Sequence, residues 1–154
     1  MPSHEEKRVL PFSASEMFAV VADIEKYPEF VPGCAGLRIL DRKSAGNVET
    51  IIAEMMVSFG ALRETYTSKV TLDRNKNIVD AHHIDGPFDH LDTRWCFVPR
   101  DSGSEVHFAI DFAFRNRLLA AASNLVFDRM VRKTTGAFIA RAAQRHNASH
   151  HAQQ

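Results

Sequence analysis

Along the stretch from Leu62 to Leu72, polar and apolar residues share alternate positions. In an extended chain Glu64, Tyr66 and Ser68 fall on the same face as Leu62, Val70 and Leu72. A carboxylate and two hydroxyls on an apolar face admit two readings. They form a satisfied polar patch at a sheet edge or on a wet face, or they orient a ligand inside a mostly apolar cavity. In the second case the hydroxyls of Tyr66 and Ser68 donate to ligand oxygens, and Glu64 fits only when protonated or paired with a cation such as an arginine. Glu64 and His90 are the candidates for a general acid or base facing a cavity, and neither has a recognisable partner in sequence. No metal ligands are expected. His82 and His83 alternate to opposite faces of a strand, His146 and His150 lie near a polar end, and Cys34 and Cys96 stand far apart without a Cys-x-x-Cys pair. P-loop, GxGxxG, HExxH and GxSxG patterns are absent, so no catalytic residue and no cofactor are expected.

The elements that position these residues follow from punctuation and period. Ser13 with Glu16 forms a capping box for a helix over Ala14 to Ile24, with Met17, Phe18, Val20, Val21 and Ile24 as its apolar stripe. Pro28 and Pro32 restrict Tyr27 to Cys34 to a short helical turn and an apolar loop, which is expected to gate or cap a cavity. From Leu37 to Phe114 the period is two. Breaks at Ser44–Asn47, Phe59–Ala61, Asp73–Asn77, Asp85–Pro87 and Arg100–Ser104 delimit six strands joined as hairpins, with Val9 and Leu10 supplying a seventh. Asn116 to His146 then shows a helical period. One face of that helix carries Leu119, Val126, Phe127, Met130, Val131, Ala137, Phe138 and Ala142. The other carries Arg129, Arg132 and Lys133, with Leu118, Leu125 and Ile139 around them. A face that mixes arginine with leucine fits a membrane interface or a partner, and equally a solvated stripe with stray leucines. The expected cavity wall is Phe30, Val31, Trp95, Phe108, Phe112, Phe127 and Met130, together with Glu64, Tyr66 and Ser68.

Composition sets the frame. The 154 residues suit one domain, and eleven Phe against two Tyr and one Trp suit a dry interior or an apolar ligand wall. Net charge is zero, but from Ala113 onward seven cations face Asp128 alone, so a basic C-terminal segment follows an acidic body. A neutral total argues against a surface wholly devoted to nucleic acid. Two cysteines without a disulfide framework predict a reducing compartment, and the polar N-terminus and the lack of a long apolar run predict a soluble chain without a secretory signal or membrane span.

Tyr27-Pro28-x-Phe30-x-Pro32-x-Cys34, then Phe59-Gly60, Glu64-x-Tyr66-x-Ser68-x-Val70, Asp85-Gly86-Pro87-Phe88-x-His90-Leu91 and Trp95-x-Phe97-x-Pro99 resemble the coenzyme Q-binding family. The agreement continues through Phe112-x-Phe114-Arg115, Phe127-Asp128, Met130-Val131, Ala137-Phe138 and Arg141-Ala142, so it spans about Val9 to Ala143. That family lies within the START-like group of polyketide cyclase/dehydrase and lipid-transport proteins. The resemblance implies an α+β helix-grip fold, a bent antiparallel sheet wrapped around a long C-terminal helix. The domain would cover residues 1–146, leaving 147–154 as a polar, disordered tail. It also implies ubiquinone or a related isoprenoid quinone as ligand, in a role supporting respiratory electron transport or quinone biosynthesis. Ribosome-association toxins that bind the large ribosomal subunit belong to the same family, and cyclase or aromatase enzymes to the wider group. Placement in a bacterial cytoplasm follows, with peripheral contact at the cytoplasmic membrane through Leu118, Leu125, Arg129, Arg132 and Lys133.

Overall fold

The computed structural model describes residues 3–59 and 62–152, without the side chains at 59, 62, 123, 125, 126 and 149–152. Seven strands, β1 (Ser3–Leu10), β2 (Cys34–Ala45), β3 (Val48–Phe59), β4 (Leu62–Asp73), β5 (Ile78–Asp85), β6 (Phe88–Arg100) and β7 (Gly103–Phe114), form one antiparallel sheet. Its order is β1-β7-β6-β5-β4-β3-β2, so the first two strands in the chain occupy opposite edges. The connection between them carries α1 (Ala14–Ala22), a 3-10 turn (Ile24–Lys26) and α2 (Tyr27–Phe30). α3 (Arg117–Ala152) packs on β7, α1 and α2. This is the expected helix-grip architecture.

Local chemistry explains most boundaries. The Ser13 hydroxyl accepts from the Glu16 amide at 3.0 Å and the Glu16 carboxylate accepts from the Ser13 amide at 3.4 Å, which completes the capping box that starts α1. α1 stops at Ala22, two residues before the expected end, and Pro28 falls in the first turn of α2, where its missing N–H costs no helical bond. At the β6–β7 ladder Trp95 faces Phe108 and Phe97 faces Val106, and the Trp95 and Phe108 rings lie 4.3 Å apart. Ser104, fully buried, donates to the Phe12 carbonyl at 2.7 Å and ties the N-terminal connection to β7. Beside it Gly103 adopts φ 153°, and a Cβ there would stand 2.0 Å from the Leu10 carbonyl oxygen, so only glycine allows β1 to close on the sheet.

Three expectations are corrected. β1 begins at Ser3, because backbone pairing with β7, from Ser3↔Asp111 to Leu10↔Ser104, extends an edge strand whose charged residues carry no alternation. α3 continues to Ala152, so residues 147–152 are helical. Each added residue gains a backbone hydrogen bond once a helix exists, and this segment contains alanine and no proline. Ile139 belongs to the packed side of α3, against the core, and not to the basic face.

The helix is anchored to the sheet by aromatic rings. Phe127 is buried and meets Phe112 at 5.2 Å, and Phe138 meets Trp95 at 5.0 Å. Phe127→Asp is expected to place an unpaired charge in this contact and cost at least ~3 kcal/mol, measured by urea denaturation. A variant with wild-type stability would contradict the anchoring role.

The C-terminal part of α3 is fixed to α1 by a hydrogen bond between His146 Nδ1 and Glu16 Oε2 at 2.7 Å. Burial pushes the Glu16 carboxyl up, but the hydrogen bonds from His146 and Ser13 outweigh it and hold it below the ordinary value of 4.5. A depressed carboxyl stabilises the fold above its unfolded value and loses that contribution as pH falls through the folded one. Glu16→Gln is therefore expected to lower the melting temperature at pH 7, with the difference from wild type shrinking below pH 4.5. Thermal melts across pH check this.

Candidate functional site: an apolar cavity between sheet and helix

α3 turns Leu119, Ala122, Met130, Val131, Thr134 and Phe138 toward a cavity of about 490 Å³, which therefore runs along the helix on both sides of the contact between Phe127 and Phe112. Its opposite wall is the inner face of the sheet, including Ala53, Val70, Ala81 and Ile110. The space equals the liquid volume of roughly 16 waters, at ~30 Å³ each, and each ordered water needs two to four polar partners. Few polar side chains reach it, chiefly Tyr66, Ser68, Thr93 and Thr134. Water is therefore a poor occupant, and an apolar molecule with a small polar end is a good one.

Of the expected wall, Val31, Tyr66, Ser68, Trp95, Phe108, Phe112 and Met130 line the cavity. Phe30, Glu64 and Phe127 do not. Phe30 turns its edge to Tyr27 and Phe138, with the Arg141 guanidinium 5.1 Å from its ring centre. Phe127 is core, taken up by Phe112. Glu64 is half-buried on β4 beyond the lining residues. Tyr27, Cys34, Met55, Phe88 and Phe138 line the cavity without having been expected to, Tyr27 and Cys34 as the two ends of the apolar loop. His90 pairs with Asp111 at 3.1 Å and is no cavity base.

The two tyrosines differ in what they can offer. Tyr27 donates its hydroxyl proton to the Val21 carbonyl and is committed. Among the described residues the Tyr66 hydroxyl reaches only the Met55 sulfur, at 3.2 Å, a weak acceptor that a ligand oxygen outcompetes. Burial, with a smaller contribution from Cys34, pushes the Tyr66 phenol far above the ordinary tyrosine range, so it stays a donor. Burial likewise raises the Cys34 thiol, which donates weakly to the Gly36 carbonyl and stays protonated. Ser68 has no hydrogen-bond partner among the described residues. No group of three or more His, Cys, Asp or Glu among the described residues is arranged to hold a metal.

A family model described as polyketide cyclase/dehydrase and lipid transport matches residues 10–139. The chain belongs to that family. Among curated members, the ribosome association toxin RatA of Escherichia coli K12 is 32% identical over 149 residues, covering 96% of this chain and 91% of that protein. The mitochondrial coenzyme Q-binding protein COQ10 homolog B of Xenopus laevis is 30% identical, covering 88% of this chain and 55% of its own length. Among solved structures, the 18 kDa protein CC1736 of Caulobacter crescentus superposes with a TM-score of 0.80 at 36% identity, over 96% of this chain and 99% of that one. The relatives of this chain thus include one named for ribosome association and one named for coenzyme Q binding.

The loop divides into a packed and a lining part. Glu29 on α2 pairs with Arg141 at 2.7 Å, so Phe30 and Glu29 together clamp α2 to α3, while Val31 and Pro32 face the cavity. Phe30→Ser is expected to lower stability by about 2 kcal/mol, less than for a fully buried ring. Val31→Ser should leave the melting temperature within a degree or two while weakening uptake of an apolar ligand. Thermal melts beside ligand titration check the division; the reverse pattern would make Val31 the structural residue.

Proposed function

We propose that this protein binds an isoprenoid quinone, ubiquinone or a close relative, in the cavity beneath α3 and acts as a non-catalytic lipid chaperone in respiratory electron transport or quinone biosynthesis. The observation that carries this reading is an apolar cavity of about 490 Å³ holding a neutral, uncommitted donor at Tyr66. A quinone matches it at both ends: the tail gains ~25 cal/mol per Å² of apolar surface removed from water, and the ring carbonyls accept from Tyr66 and Ser68. The coenzyme Q-binding relative supports the same class of ligand.

A quinone partitions into bilayers, so its carrier must meet one to load. Among the described residues no helix is long and apolar enough to cross a membrane. Arg129, Arg132 and Lys133 are exposed on α3 and form no ion pair among the described residues, and Leu118 near the start of the helix is 81% exposed. The Leu125 side chain lies outside the described residues. Each cation contributes ~1 kcal/mol beside anionic lipid, enough for reversible docking at the cytoplasmic membrane surface. A second reading, action on the large ribosomal subunit, is supported by the likeness to RatA over nearly the whole chain and by the same exposed cations.

Lipid extraction of protein isolated from its native host, followed by mass spectrometry, is expected to release a quinone. Co-sedimentation with liposomes should rise with anionic lipid, fall with salt, and drop when Arg129, Arg132 and Lys133 are changed to Ala. Sedimentation with ribosomal subunits that the same substitutions abolish, with no quinone recovered, would select the second reading.

A further inference from the structure

The inner face of β5 carries Val79, Ala81 and His83 in alternation, and the first two line the cavity. His83 stands opposite Ser68 in the β4–β5 register. Paired residues on one face have Cβ atoms ~5 Å apart, so the imidazole starts beside a cavity hydroxyl. The register slips at this point: Thr67 faces Asp85 while Ser68 faces His83, which leaves Ile84 as an extra residue on β5. Such a bulge re-aims the neighbouring side chain. The His83 ring meets Phe88 edge-on at 5.3 Å, and Phe88 meets Tyr66 in the same manner at 5.4 Å. Gly86, at φ 140°, keeps the group open, since a Cβ there would stand 2.7 Å from Tyr66 Cβ and 3.2 Å from His83 Nε2. That Nε2 is buried and has no hydrogen-bond partner among the described residues. His83 does not itself line the cavity, but Ser68, Ala81, Tyr66 and Phe88, which all do, surround it.

We infer that His83 is a third head-group residue, forming with Tyr66 and Ser68 a polar end of the cavity that takes an oxygen-substituted aromatic ring, with Phe88 turning aside so that Nε2 meets the ring oxygen. This rests on the lipid-binding reading above and specifies which part of the ligand is recognised and where. A buried nitrogen without a partner is costly, and a hydrocarbon chain gives it none. A ring oxygen does. Neutral imidazole has one donating and one accepting nitrogen, and exchange of tautomer lets Nε2 serve either a carbonyl or a hydroxyl. The same three residues therefore suit a quinone and the corresponding hydroquinone.

The test uses decylubiquinone, followed by quenching of the single tryptophan, Trp95, in the cavity wall. A fluorescent alkyl probe without an oxygenated ring serves as the tail control. His83→Phe should weaken decylubiquinone roughly tenfold, the loss of one buried hydrogen bond, and leave the alkyl probe unchanged, with His83→Gln recovering part of the affinity. In wild-type protein the Nε2 resonance of His83 should shift on adding decylubiquinone, a measurement independent of how the variants fold. Unchanged decylubiquinone affinity in a folded His83→Phe variant, or a stationary Nε2 resonance at saturation, would overturn the inference. Wild-type protein that takes the alkyl probe but not decylubiquinone would overturn the quinone reading itself.

Discussion

Aromatic contacts fix where α3 lies over the sheet: Phe127 rests on Phe112 and Phe138 on Trp95. The cavity lies beneath the helix so placed, with Leu119, Ala122, Met130 and Thr134 among the residues that face it. Everything proposed for this protein depends on that space. The strands supply a smooth apolar wall because their inner residues alternate, and the loop after α2 closes one side because Phe30 and Glu29 grip α3 through Phe138 and Arg141. Met130 brings to the cavity a flexible thioether that can adapt to an occupant, and Thr134 a small hydroxyl that leaves room where Phe would fill it.

The outer face of the sheet obeys a different rule. Cross-strand pairs cover it: Arg94 grips Asp80 with two bonds at 2.7 and 2.9 Å, His82 meets Asp92, and Arg38 meets Glu54. The acidic body is thus largely matched to its own cations. On α3 the match fails for Arg129, Arg132 and Lys133 among the described residues, so the charge asymmetry visible in composition becomes a distinct surface. Exposed charges of one sign act on distant partners more than on fold stability.

How much of this was legible in the sequence varies with the type of information. Strand number, the hairpin order and the helix followed from period and turn residues, because alternation on β7 and the capping box at Ser13 are local signals. The start of β1 was not, since Glu5, Glu6, Lys7 and Arg8 are placed by pairing with a strand a hundred positions later. Which face a residue occupies was legible; how far that face stands from the next layer was not. Phe127 and Met130 share a helix face, yet one ends in the core and the other at the cavity. His83 shows the same limit. Alternation put it opposite to His82, but only the bulge at Ile84 and the space beside Gly86 give that position its surroundings.

The strand order also sets a sequence of events during synthesis. Strands β2 to β7 form hairpins with neighbours made just before them, whereas β1 is made first and must wait for β7, Ser3 pairing with Asp111. At ~5–20 residues per second, that interval is roughly 5–20 s. Loop closure over such a separation is entropically slow, so the meander is expected to assemble before the edge is closed. Until β1 docks, β7, itself rich in phenylalanine, keeps one side of its backbone unpaired and open to pairing with a neighbouring chain. The hydrogen bond from Ser104 to Phe12 spans 92 positions and forms only once this edge is closed.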